Sequence, residues 1–304
     1  MLRRTILAAS RSPKLREAIS TMPMSRDVVQ RFVAGDSTDD AVRATRELVD
    51  AGLLVSLDHL GEDTTEVGHA EAVVKAYLEL LGRLDDSGLT GGAEVSVKLS
   101  AIGQALDPSL CLDNARRIVE AATAAGTTVT LDMEDHTTTD STLGILAELR
   151  QDFPGTGAVI QAYLRRSAGD VDDLIRAKAR VRLCKGAYKE PESVAYQSRK
   201  DVDLSYVRLL VRLMADGAYP MVATHDPRLV AIATKLAARR EPGSYEFQML
   251  YGIRPNEQRR IVAAGHRMRV YTPYGQEWYG YLMRRMAERP ANLQFFLRAL
   301  ATKS

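Results

Sequence analysis

The sequence predicts a closed (βα)8 barrel of the TIM type preceded by a helical arm. From about residue 50, short apolar or β-branched runs alternate with longer segments of helical periodicity, the pattern of βαβ units and a parallel sheet. There are eight such runs. The 304 residues also leave room for a barrel of about 250 residues and a leading segment.

The strands are predicted at Leu53–Leu57, Glu94–Leu99, Thr128–Asp132, Ala158–Tyr163, Val181–Lys185, Met221–Thr224, Tyr245–Leu250 and Arg267–Tyr271. Helices fall between them near 66–86, 109–125, 139–152, 169–179, 200–216, 226–240 and 255–264, with an eighth near 277–289. Asp107-Pro108 and Asp226-Pro227 each put a side-chain acceptor before a proline at a helix start, while Gly126 and Gly217 stand where C-terminal caps are expected. Residues 1–49 read as an arm, because Ser12-Pro13, Met22-Pro23 and Gly35-Asp36 interrupt their helical stretches. The barrel then covers 50–304, closing on a C-terminal helix.

Composition limits function. No apolar run approaches the roughly 18 residues of a membrane-spanning helix, and two cysteines, Cys111 and Cys184, make no disulfide framework and favour a reducing compartment. A net charge of +2 gives no argument for nucleic acid. The charge is uneven, however: residues 1–35 hold seven Lys/Arg against two acids, and 254–304 hold ten against three. The basic ends read as solvated helix faces, with an anionic partner as the alternative, and the expected location is cytoplasmic. The opening Met-Leu-Arg-Arg-Thr-Ile-Leu reads as a terminal helix and lacks the apolar core and cleavage site of a secretory signal.

Barrel enzymes work at the C-terminal ends of their strands. Lys98, Asp132, Gln161, Arg182, Lys185, Thr224, His225, Gln248 and Tyr271 all lie at or near such ends, and Glu134 and Asp135 follow the third strand. Each alone is explained by capping or rim hydrogen bonds. Together, so many polar groups directed into a barrel imply a bound polar ligand, since each would cost several kcal/mol unpaired. After the last strand, Tyr281 and Arg284, and Arg285 and Glu288, share helix faces at a spacing of three; adjacent arginines also suit a carboxylate. The five histidines show no zinc spacing, and Gly91-Gly92 precedes a strand rather than opening a nucleotide-binding helix, so neither a metal site nor a Rossmann site is expected. Lys98 or Lys185 could instead form a Schiff base.

The residues at these ends carry a resemblance. Val97-Lys98-Leu99-Ser100, Leu131-Asp132-Met133-Glu134, Gln161-Ala162-Tyr163, Arg182-Leu183-Cys184-Lys185-Gly186-Ala187-Tyr188 and Ala223-Thr224-His225 resemble motifs of the proline dehydrogenase family. So do Glu246-Phe247-Gln248-Met249-Leu250-Tyr251-Gly252, Tyr271-Thr272-Pro273-Tyr274-Gly275 and Tyr281-Leu282-Met283-Arg284-Arg285-Met286-Ala287-Glu288. The match spans roughly 53–292 in the family's order, including the dehydrogenase part of bifunctional proline-utilisation proteins.

The resemblance implies a distorted barrel that oxidises L-proline to 1-pyrroline-5-carboxylate with FAD as hydride acceptor and passes electrons to a membrane quinone, which implies peripheral contact at the inner face of the cell membrane with the basic ends, especially residues 1–35, as candidates. A pyrroline-5-carboxylate dehydrogenase is the implied partner for the product. By motif, Lys98, Arg284 and Arg285 would bind the proline carboxylate, Glu288 would orient an arginine, and Asp132 would hold Lys98. Leu183, Tyr271 and Tyr281 would pack on the pyrrolidine ring, with Tyr188 closing the pocket floor. Arg182 would approach flavin N5, and Gln161, Lys185, Gly186, Ala187, Thr224, His225 and Gln248 would also contact FAD. Lys98, Asp132, Arg182 and Tyr271 form the implied catalytic set, without a general base. Lys189 stands where many family members carry Trp, the link from Tyr271 to Arg284 is short, and Tyr281 favours proline over hydroxyproline. A Schiff-base lyase and a non-catalytic barrel are the competing readings.

Overall fold

The computed structural model describes residues 29–61, 63–215 and 217–288, with side chains through Met283. Residues 1–28 of the expected arm, and the side chains of Arg284, Arg285 and Glu288, lie outside the described residues.

Eight parallel strands close in sequence order: β1 Leu54–His59, β2 Ala93–Val97, β3 Val129–Leu131, β4 Gly157–Gln161, β5 Arg180–Cys184, β6 Tyr219–Ala223, β7 Glu246–Leu250 and β8 Met268–Tyr274. The helices are α1 Thr38–Asp50, α2 Val67–Asp86, α3 Pro108–Ala124, α4 Thr139–Asp152, α5 Ser167–Arg176, α6 Arg199–Ala215, α7 Pro227–Ala237, α8 Pro255–Ala263 and α9 Trp278–Glu288. Asp107 accepts from Leu110 N–H and Asp226 from Arg228 N–H, each with proline in the first turn.

Two strands run past their predicted ends. β1 continues to His59 and β8 to Tyr274, and they pair with each other throughout, Asp58 opposite Pro273 and His59 opposite Tyr274. Sequence reasoning stops a strand at a proline because proline cannot donate to a ladder. Here Pro273 only accepts, from Ala34 N–H at 2.9 Å. The extension carries Asp58 to the mouth of the barrel.

The expected distortion sits at this seam. Tyr279, Tyr281, Leu282 and Met283 of α9 cluster with Val29, Phe32, Val33 and Leu60, apart from the main core. Leu60 directly follows β1, so α9 lies across the C-terminal mouth. Its place in the outer ring is taken by α1, which packs on α2, β1 and β8 and puts Ala41, Val42 and Ala44 into the main core. Part of the expected arm is therefore a member of the outer ring, not an appendage.

Strand alternation sends one set of side chains to the helices and the other inward. In β5, Val181 and Leu183 join the apolar layer under the helices, while Arg180 and Arg182 reach across the interior. Branched apolar residues dominate most barrel interiors; this one is built on ion pairs. Arg180 meets Glu94 at 2.5 Å, Arg269 meets Glu246 at 2.6 Å, and Arg182 and Arg269 approach Glu94 at 3.4 and 3.7 Å. Burial alone would raise the Glu94 pKa, but Arg180, Arg269 and Arg182 outweigh it and hold the carboxyl well below the usual range.

Because Glu94 has a depressed folded-state pKa, its contribution to stability is present above the unfolded value of about 4.3 and lost as pH falls toward the folded value. Glu94→Gln, which breaks a buried pair, is expected to cost about 3–5 kcal/mol near neutral pH. Chemical denaturation across pH should show the gap from wild type shrinking below about pH 4; a gap independent of pH would contradict this charge network.

Candidate active site

At the C-terminal ends of the strands lies a cavity of about 580 Å³. Its walls include Lys98, Asp132, Gln161, Arg182, Lys185, Gly186, Ala187, Tyr188, Thr224, His225, Gln248, Tyr271 and Tyr281, all expected there from the sequence. Asp58, Cys184, Arg199, Asp226 and Leu250 also line it.

One end is built by β1, β2, β3, β5 and β8. Lys98 Nζ lies 2.5 Å from Asp58 Oδ1, 3.5 Å from the Tyr271 hydroxyl and 4.0 Å from Asp132 Oδ2. Asp58, not Asp132, is thus the nearer acid to Lys98, a correction to the expected pairing. Asp132 instead accepts from Arg182 Nη1 at 2.7 Å, Ser96 Oγ at 2.8 Å and the Tyr271 hydroxyl at 2.7 Å. Burial, reinforced by Asp132 and Asp58, pushes the Tyr271 phenol well above its ordinary pKa, so it remains a donor.

Arg182 occupies the centre. Its guanidinium also bonds Ser96, Ser56 and Gln248 at 2.8, 2.9 and 2.6 Å, and stands 5.2 Å from the Tyr271 ring centroid. Gln161 donates to the Glu134 carbonyl at 2.6 Å, and Leu250 N–H donates to His225 Nε2 at 3.0 Å, fixing both side chains at the wall. Burial raises the Cys184 thiol to about 12, so it is no nucleophile at neutral pH.

The other end is a charged rim between α6 and α7. Lys185 bridges Asp203 and Asp226, Arg228 bonds the same two carboxylates at 2.8 Å, and Arg199 lies 3.9 Å from Asp226. The Arg228 hydrogen bond leads in holding the Asp226 carboxyl below the usual range.

The loop after β5 connects the two ends. Gly186 takes φ +107°, and a Cβ there would collide with the Tyr163 ring, so only glycine lets the backbone pass. Buried Glu190 accepts from His136 N–H at 3.0 Å and the Tyr163 hydroxyl at 3.3 Å, and also meets His136 Nδ1, tying this loop to the loops after β3 and β4.

Two further expectations are corrected. Leu183 is 1% exposed and packed under the helices, because its neighbours Arg182 and Cys184 take the inward positions of β5. Tyr188 is 41% exposed, at the rim of the cavity rather than its floor. Lys189 is exposed and not part of the wall. Asp58 was missed although it follows Ser56 at the inward spacing of two, because the predicted strand ended at Leu57.

The fold and site define a barrel enzyme acting on a small polar metabolite. The family profile described as proline dehydrogenase matches residues 41–298. Proline dehydrogenase 1 of Bacillus subtilis (strain 168) is 40% identical over 276 residues, covering 90% of this chain and 91% of that one. Proline dehydrogenase of Deinococcus radiodurans is 38% identical over 307 residues, 99% of this chain and 98% of that one. A solved structure of proline utilization A (PutA) from Bdellovibrio bacteriovorus, inactivated by N-propargylglycine, matches with a TM-score of 0.80 at 27% identity, over 86% of this chain and 32% of that longer one. The chain belongs to the proline dehydrogenase family. It is an enzyme of proline catabolism that oxidises proline.

The donor set also fits a flavin nucleotide. The amides of Gln161 and Gln248 and the Arg182 guanidinium suit the polar edge of a ring system. Lys185 and Arg199, which line the rim beside Asp226, suit a pyrophosphate.

The position of Leu183 has a direct consequence. Leu183→Ala is expected to cost about 2–5 kcal/mol of stability through the cavity it leaves, while the folded fraction keeps its KM for proline within about twofold, since less than about 0.4 kcal/mol of binding is at stake. Denaturation and steady-state kinetics together check this; a large KM increase without loss of stability would return Leu183 to the substrate.

Proposed function

We propose that this enzyme is an FAD-dependent, quinone-reducing L-proline dehydrogenase producing 1-pyrroline-5-carboxylate. The observation that carries the reading is the continuity of one cavity from the Lys98–Asp132–Tyr271 end, past Arg182 and Gln248, to the Lys185–Arg199 rim. FAD, when bound, supplies the hydride acceptor.

The chain's own residues bind and orient. Lys98, with Arg284 and Arg285 of α9, takes the proline carboxylate, and Glu288 orients an arginine. Tyr271 and Tyr281 pack against the pyrrolidine ring. Asp132 holds Arg182 and Tyr271 in place, so the guanidinium would be pre-oriented to hold the flavin ring. Gln161, Gln248, Thr224 and His225 contact the ring and ribityl groups, and Lys185, Gly186, Ala187 and Tyr188 border the remainder. α9 across the mouth limits access by water, which strengthens these charge contacts. The ammonium beside Asp58 argues against Lys98 as a Schiff-base nucleophile, since only the neutral amine attacks a carbonyl.

Among the described residues no helix is long and apolar enough to cross a membrane. Contact with a quinone-bearing membrane is assigned to the basic chain ends, and a pyrroline-5-carboxylate dehydrogenase is the partner proposed to receive the product. Salt-sensitive co-sedimentation with anionic liposomes is expected; binding insensitive to salt would remove the electrostatic part.

The primary test is the visible spectrum of the purified protein before and after L-proline is added without oxygen. Flavin bands that bleach are expected. A colourless protein that takes up no FAD would overturn the cofactor assignment. Arg285→Met is expected to raise the KM for proline at least tenfold, a loss of about 1.4 kcal/mol of binding; an unchanged KM would remove Arg285 from carboxylate capture.

A further inference from the structure

Asp58 ends the inward row of β1 on the seam with β8. Its side chain is 1% exposed, Oδ1 holds Lys98 Nζ at 2.5 Å, and Oδ2 is buried without a hydrogen-bond partner. Among the described residues, Lys98 is the one cation within ion-pair distance of Asp58. Arg182 is engaged by Asp132 and Glu94. Burial raises the Asp58 pKa above its ordinary value, Lys98 opposes that shift and Asp132 reinforces it; among the described residues, the other titratable groups around the pair are Tyr271 inside the barrel, and Tyr77, Tyr274 and His59 on the helix side of the sheet.

A buried carboxylate with one oxygen unsatisfied is costly to keep, and an apolar residue at this place would pack against the seam without that cost. What the charge does in this structure is hold Lys98. Among the described residues, the next acid from Nζ is Asp132 at 4.0 Å, already committed to Arg182, Ser96 and Tyr271. An ammonium drawn toward Asp132 would leave the β1 side of the cavity and disturb the bonds that hold Arg182.

We propose that Asp58 is a positioning residue that fixes both the place and the charge of Lys98 at the proline end of the cavity. The proposal rests on the reading that Lys98 takes the proline carboxylate. Asp58 keeps Nζ on the β1 side as an ammonium, so an incoming carboxylate meets a cation that is already in place and protonated.

The test uses the full-length holoenzyme, with dye reduction by proline followed across pH. Lys98→Arg identifies the limb of the kcat/KM profile that belongs to Lys98, because a guanidinium does not titrate in this range. Asp58→Asn keeps the shape and removes the charge. It is expected to raise the KM for proline at least tenfold, with a smaller change in kcat. It should also shift the Lys98 limb to lower pH, since losing a neighbouring anion disfavours the ammonium. Asp58→Glu keeps the charge but displaces it by a methylene; the limb should stay in place while KM rises several-fold.

An unshifted limb with KM within twofold in folded Asp58→Asn overturns the proposal. If that variant does not fold, a KM within twofold for Asp58→Glu overturns it. Lys98→Met separates the two readings. If its KM matches wild type, carboxylate capture by Lys98 fails; if its KM rises while the Asp58 variants behave as wild type, only the role of Asp58 fails.

Discussion

The guanidinium of Arg182 sits in the middle of the barrel, and placing a permanent charge there constrains everything around it. An unpaired buried cation would be prohibitive, so β1, β2, β3 and β7 each supply a partner: Ser56, Ser96 with Glu94, Asp132 and Gln248. Two of these partners carry charges that need further partners. Glu94 is met by Arg180 and Arg269, and Arg269 by Glu246. Gln248 then joins the layers, accepting from Arg182 and donating to Glu246. The polar interior is thus the support that lets one arginine face a cavity in a fixed orientation.

That requirement also explains what the sequence reveals and what it conceals. Eight runs of β-forming residues announce eight strands, and polar residues near their C-terminal ends announce a site, because both signals are local. The pairing of charges is not local. Glu94 reads as an ordinary strand residue until Arg180 and Arg269, far along the chain, arrive beside it. Asp58 lay one residue beyond the predicted end of its strand, and the partner that lengthens that strand, β8, contains a proline that argues for stopping. Leu183 shows the opposite failure: it stands inside a motif of functional residues, but the period of two along a strand turns it away from the site its neighbours face.

The cavity divides its electrostatics by distance along the barrel. Among the described residues, Lys98 and Arg182 stand against Asp58 and Asp132 at one end, and in the wall at the other end Lys185 and Arg199 stand against Asp226. A carboxylate that reaches Lys98 competes there with Asp58, which already holds the ammonium. Pairing of this kind favours specificity over raw affinity.

The β1–β8 seam joins these features. Asp58 and Tyr271 face inward from it. On its outer side α1 fills the ring position that would otherwise belong to the helix after β8. Ala34 N–H donates to the Pro273 carbonyl and Gly275 N–H to that of Gly35, so the segment leading into α1 is bonded to the chain leading out of β8. With its ring position occupied, α9 can cross the mouth, where Tyr281 reaches the cavity wall and the backbone continues in helix through Arg284, Arg285 and Glu288. The arrangement of the outer layer thereby determines what covers the site: with α1 packed against β1 and β8, the helix after β8 is the element that brings Tyr281 to the cavity wall.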